Sequence, residues 1–109
     1  MEKTVVVNLG PVEQIPRGLG KSFVIQEEEI AVFRGRDGKL FAIQNICPHK
    51  KTPLADGLMG ANRVICPGHG HKFNLVTGQG SEEGESVKVY PVQEVNGEIL
   101  LSYAFEKAR

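Results

Sequence analysis

Two short pieces of this chain carry most of its chemistry: Cys47-Pro48-His49-Lys50 and Cys66-Pro67-Gly68-His69-Gly70-His71. Together they read C-x-H, sixteen residues, then C-x2-H. The chain holds only two cysteines, and each has a histidine within three positions. Four soft-to-borderline ligands in two matched pairs suit a tetrahedral metal or an iron–sulfur cluster. Buried cysteine is common and inert, but that plain reading would have to hold for four residues at once. Structural zinc accepts a Cys2His2 set, yet zinc fingers usually separate the cysteine pair from the histidine pair, whereas here each pair mixes the two types. A cluster with one iron held by cysteines and the other by histidines draws mixed pairs naturally. A Cys–His nucleophile is the weakest reading, because nothing suggests an oxyanion hole or a third orienting group.

The neighbours of these pairs have plainer roles. His71, the third histidine, reads as a surface residue beside the site. Lys50, Lys51, Lys72 and Arg63 read as solvated charges that could also guide an acidic partner. Leu54 and Phe73 read as core beneath the site, Asp56-Gly57 as a turn, and Glu27–Glu29, Glu82, Glu83 and Glu85 as solvated turns.

The elements that must position the pairs are strands. Thr4–Val7 is a first strand, and the Pro- and Gly-punctuated stretch Gly10–Gly18 is a loop with room for one helical turn. Ser22–Gln26 and Ile30–Arg34 are strands joined by Glu27–Glu29, and Leu40–Gln44 pairs with the latter across the hairpin signal Asp37-Gly38. Arg63–Cys66 feeds the second pair, Lys72–Val76 leaves it, Thr77-Gly78 turns the chain, and Gly78–Ser86 is surface loop. Val87–Val95 and Glu98–Tyr103 close the chain as a hairpin across Asn96-Gly97. Eight or nine short strands without a convincing helical period predict an all-β sandwich or small barrel. Each pair then sits where a strand breaks into a loop, and both loops share one tip. Pro48 and Pro67 fix the backbone after each cysteine, and Gly68 and Gly70 let it fold closely around a buried object.

Composition narrows the function classes. At 109 residues the chain is read as one domain, 1–109, with a metal-binding subdomain over about 45–76. Thirteen basic and thirteen acidic residues cancel, so no nucleic-acid or membrane footprint stands out. The apolar run Val5–Val7 is far too short for an export signal or a spanning helix, which makes the reducing cytoplasm the expected compartment. There, a Cys47–Cys66 disulfide is not expected, and cysteines serve more often as ligands or nucleophiles.

At these residues the chain resembles the Rieske family of 2Fe–2S proteins, whose motif is C-x-H, a spacer of this length, then C-x2-H and a glycine. The resemblance takes in the four ligands, Gly70, Phe73, the Thr77-Gly78 turn and the β frame on both sides. It implies a one-electron carrier with one 2Fe–2S cluster per chain, Cys47 and Cys66 on one iron and His49 and His69 on the other. Ile30–Arg34, Cys47–Lys50 and Pro53–Gly57 look like the small subunit of cytoplasmic NAD(P)H-dependent nitrite reductase, whose partner is a sirohaem and flavin large subunit. The Rieske ferredoxins that pass electrons from a flavin reductase to an aromatic-ring dioxygenase share most of the frame, but more often read Cys-Thr-His at the first pair. A zinc-stabilised, redox-silent module is the reading of a different class.

The departures from the family pattern matter as well. Gly68 stands where many relatives carry leucine, and Gly78–Ser81 lacks the proline that usually covers the cluster. The extra disulfide of respiratory Rieske subunits has no cysteines here. High-potential members place a serine hydroxyl two residues after the second ligand histidine and a tyrosine hydroxyl two further on. His71 and Phe73 occupy those positions, which implies a potential of roughly −150 to 0 mV, toward the low end of the family's range.

Overall fold

Alternating, β-branched segments pair into three antiparallel sheets in the computed structural model, which describes residues 2–46, 53–60, 62–67, 71–81 and 86–106. The basal sheet has the order β1–β10–β9, from Glu2–Pro11, Glu98–Glu106 and Val92–Val95. The second sheet has the order β2–β3–β4–β8, from Leu19–Ile25, Glu28–Arg34, Leu40–Gln44 and Val89–Tyr90. The third is small, β5–β6–β7, from Leu58–Gly60, Arg63–Ile65 and Lys72–Asn74. Two 3-10 turns, Val12–Gln14 and Leu54–Asp56, are the helical pieces among the described residues. No helix among those residues is long and apolar enough to cross a membrane.

The all-β expectation holds, with corrections in detail. The β3–β4 hairpin and the β9–β10 hairpin form where Asp37-Gly38 and Asn96-Gly97 placed them; at the second, Asn96 and Gly97 both take positive φ (53° and 79°). The expected single strand Val87–Val95 is two strands. Pro91 cannot donate to a ladder, and the chain crosses there from the second sheet to the basal one. The turn before β3 is not Glu27–Glu29 but Gln26-Glu27, both left-handed at φ 53° and 68°, and Glu28 and Glu29 belong to β3. Strand β5 was not expected at all. The presumed surface loop Gly78–Ser86 begins instead as an edge segment: Gln79 carbonyl accepts from Asn74 N–H at 2.9 Å, and Ser81 N–H donates to the Lys72 carbonyl at 2.8 Å. Residues 82–85, with Glu82, Glu83 and Glu85, lie outside the described residues.

Two buried clusters hold the sheets together. One joins the basal and second sheets through Val12, Ile15, Ile30, Val32, Ile99 and Leu101. The other joins the second and third through Phe33, Phe41, Ile43, Leu54, Val64 and Phe73, and it includes Cys66. The two clusters share β3 and β4, whose residues face them alternately, as the period of a strand requires.

Glu28 is more than a solvated turn. Its Oε1 accepts the hydroxyls of Tyr103 at 2.9 Å and Tyr90 at 3.2 Å, and Lys88 Nζ stands 3.6 Å from Oε2. The two rings stack with centroids 6.0 Å apart. Burial pushes both phenols above their ordinary value, and the Glu28 carboxylate adds to the shift. The folded chain therefore holds these protons more tightly than the unfolded one. That stability is fully present below about pH 10 and is lost as pH climbs above it. The denaturant midpoint should fall above that pH, and Tyr90→Phe should flatten the fall. An equally steep fall in the variant would assign the effect to other groups.

Candidate metal centre

The third sheet is the platform of the site, and its construction starts at Cys66. This residue follows β6 directly and is 1 % exposed, packed in the cluster with Val64, Phe73 and Leu54. Its N–H donates to the His71 carbonyl at 2.7 Å, so the chain that departs at Cys66 returns beside it to start β7. His71 is half-buried, with its backbone engaged in closing that loop. His69 lies between, outside the described residues.

The first pair is framed in the same way. The chain leaves the described residues after Ile46, at the end of β4, and returns at Pro53 before the turn Leu54–Asp56; Cys47, His49, Lys50 and Lys51 lie outside them. Departure and return rest on the same buried cluster, through Ile43 on one side and Leu54 on the other.

What brings the two frames together is strand β5. It pairs Leu58 with Ile65 and Gly60 with Arg63, so the return of the first segment runs antiparallel to the approach of the second. Gly57 makes the closure possible. A methyl group there would run into the Ile65 carbonyl oxygen and stand 2.9 Å from Val64 Cγ2. The expected simple turn at Asp56-Gly57 is thus a close approach of two backbones, one residue short of Cys66. Gly20 serves the outer side: the turn Leu54–Asp56 packs on β2, and a side chain at Gly20 would meet the Phe33 ring and the Ala55 carbonyl.

On the other flank, Asn74 Oδ1 accepts from the N–H groups of Val76 and Thr77 at 2.7 and 3.0 Å, turning the chain out of β7. Gly78, at φ 83°, then accepts from Val87 N–H at 2.8 Å. The outward face of the platform is cationic. Arg63 and Lys72 are exposed on it and border a shallow hollow of about 340 Å³ with Gly60 and Ile65.

A match to the Rieske 2Fe–2S domain family extends over residues 5–95. The chain belongs to that family. A Rieske domain carries a 2Fe–2S cluster and transfers electrons one at a time. The described part of the site fits such a group, with a desolvated cysteine at a strand end and strands β5 and β6 closed side by side, and the sequence offers cysteine and histidine together in both adjoining stretches. The ferredoxin component of naphthalene 1,2-dioxygenase/salicylate 5-hydroxylase systems from Ralstonia sp is 28 % identical over 91 residues, 82 % of this chain and 86 % of that one. The E. coli protein NirD superposes with a TM-score of 0.84 at 26 % identity, covering 93 % of this chain and 98 % of that one. A Mycobacterium tuberculosis protein assigned as an NADH-dependent nitrite reductase small subunit superposes at 0.85 and 23 % identity, with 93 % and 96 % covered, a likeness of fold.

Phe73 is the residue on which the low potential expected from the sequence can be tested. The ring is fully buried in the cluster that contains Cys66 and offers no hydroxyl to a sulfur. Phe73→Tyr should raise the potential by about 40 mV, the one-electron equivalent of a hydrogen bond worth about 1 kcal/mol. Voltammetry and denaturation on the same samples check it. A hydroxyl that missed the sulfur would be buried without a partner, so an unchanged potential with about 1–3 kcal/mol of lost stability would refute the account.

Proposed function

We propose that the chain holds its cluster through Cys47 and Cys66 on one iron and His49 and His69 on the other, and works as the small subunit of an NAD(P)H-dependent nitrite reductase. The observation that supports the ligand set is the pairing of Leu58 with Ile65, which joins the strand after the first Cys/His pair to the strand before the second. Bound there, a 2Fe–2S cluster supplies one reversible single-electron reduction. The chain does the rest. Its apolar cluster keeps water from the Cys66 side, and Gly57 and strand β5 hold the return from the first pair against the approach to the second. A low-potential site matches a donor fed from NAD(P)H through flavin.

The small-subunit reading draws on Ile30–Arg34, Cys47–Lys50 and Pro53–Gly57, which resemble that subunit in sequence. A second reading, a ferredoxin that feeds a ring-hydroxylating dioxygenase, is favoured by the sequence likeness to the Ralstonia ferredoxin component. Purified protein should contain two irons and two acid-labile sulfides and give a rhombic EPR signal when reduced; stoichiometric zinc without sulfide would overturn the cluster. For the partner, the reduced protein is mixed anaerobically with a sirohaem large subunit or with a dioxygenase terminal component. Faster reoxidation by the large subunit is expected. Faster reoxidation by the oxygenase would decide for the ferredoxin.

A further inference from the structure

Among the described residues, one polar side chain is fully buried, and it lies two positions before Cys47. Asn45 is 1 % exposed and follows the last residue of β4. Its Oδ1 accepts the Ala55 N–H at 2.8 Å, and its Nδ2 donates to Glu29 Oε1 at 3.3 Å. Its own N–H donates to the Glu29 carbonyl at 3.0 Å, so the backbone is locked to β3 as well. Ala55 belongs to the 3-10 turn Leu54–Asp56, whose N-cap, Pro53, supplies no side-chain hydrogen bond. Asn45 therefore caps that turn from the other end of the segment. One carboxamide, held by β3, ties the departure of the chain at residue 45 to its return at residue 55, and Cys47 and His49 lie within the closed stretch.

We infer that Asn45 is a positioning residue for the cluster: by joining residue 45 to residue 55 it fixes the two points of the frame between which the proposed ligands Cys47 and His49 are strung. The inference rests on the ligand set proposed above. Asn45 touches no reacting atom. It acts by tying residues 45 and 55 to each other and to β3, and a buried carboxamide suits this because it presents an acceptor to Ala55 and a donor to Glu29 at once. Neither an aliphatic residue nor a hydroxyl of serine size does both across these distances.

The test uses the whole cluster-loaded chain and reads the rate of cluster loss to a chelator, the EPR line shape, and hydrogen exchange at the Ala55 amide. Asn45→Ala should speed cluster loss by about tenfold or more, the usual scale for residues that orient metal ligands, and broaden the EPR signal. Exchange at Ala55 should rise while that at Val32 and Ile43 stays unchanged. Ile99→Val, in the other buried cluster, controls for general destabilisation and should leave cluster loss at the parent rate. If Asn45→Ala fails to fold, Glu29→Ala, at an exposed position, removes only the outer bond and should give a smaller acceleration. Cluster loss from Asn45→Ala no faster than from Ile99→Val, or unchanged exchange at the Ala55 amide, overturns the inference. A parent without any cluster would overturn the ligand set instead, and the Ala55 exchange rates would still decide whether Asn45 closes the segment.

Discussion

His69→Ala should purify without a cluster and with the β frame intact. The frame keeps its own core, Ile30, Val32, Ile99 and Leu101, none of which touches the platform's cluster. The platform is smaller: its three strands are three residues each, and the Cys66 N–H to His71 carbonyl bond is one contact that closes its second loop. Metal binding energy, on the order of 10 kcal/mol for structural sites of comparable ligand count, should therefore appear as order in this region alone. In the variant, the Cys66 amide should exchange about a hundredfold faster, while Ala31–Phe33 stay protected. Equal protection of Cys66 with and without the cluster would refute the coupling.

The second large effect is expected at Gly57. An alanine methyl would meet the Ile65 carbonyl and Val64 Cγ2, and neither is the free end of a flexible side chain. Strands β5 and β6 must then part just before Cys66. Gly57→Ala should destabilise the protein by about 2–3 kcal/mol and leave much of the purified chain without cluster. Gly60→Ala, in the same strand with nothing near its missing side chain, is the control and should be close to neutral. Iron content and denaturant midpoints decide. Equal losses in the two variants would show that close approach is not why a glycine stands at position 57.

How much of this was legible beforehand follows from how local each signal is. Asp37-Gly38 and Asn96-Gly97 announced their hairpins because a two-residue turn with positive φ selects those residues by itself. Strand β5 gave no such sign, since three residues ending in glycine show no alternation. Gln26-Glu27 turns the chain without glycine, a strain that the seven-residue β2–β3 ladder imposes from both sides. Glu28 looked like a solvated acid because its tyrosine partners lie 62 and 75 residues away. The family was readable because each Cys/His pair lies within four residues of sequence and its chemistry is rare. Asn45 was not, because an asparagine at a strand end reads as a turn residue. Only the fold shows that its partners are Ala55 and Glu29.

The basal sheet has a consequence for architecture. In the β1–β10 ladder, Glu2 lies opposite Glu106, so the polypeptide enters and leaves the frame at neighbouring points. A unit wired in this way can be spliced into a longer chain without forcing its host's flanking segments apart, and its ends can be bridged and reopened at a distant turn. The platform of β5, β6 and β7 is built from the middle of the sequence, far along the chain from both of these points.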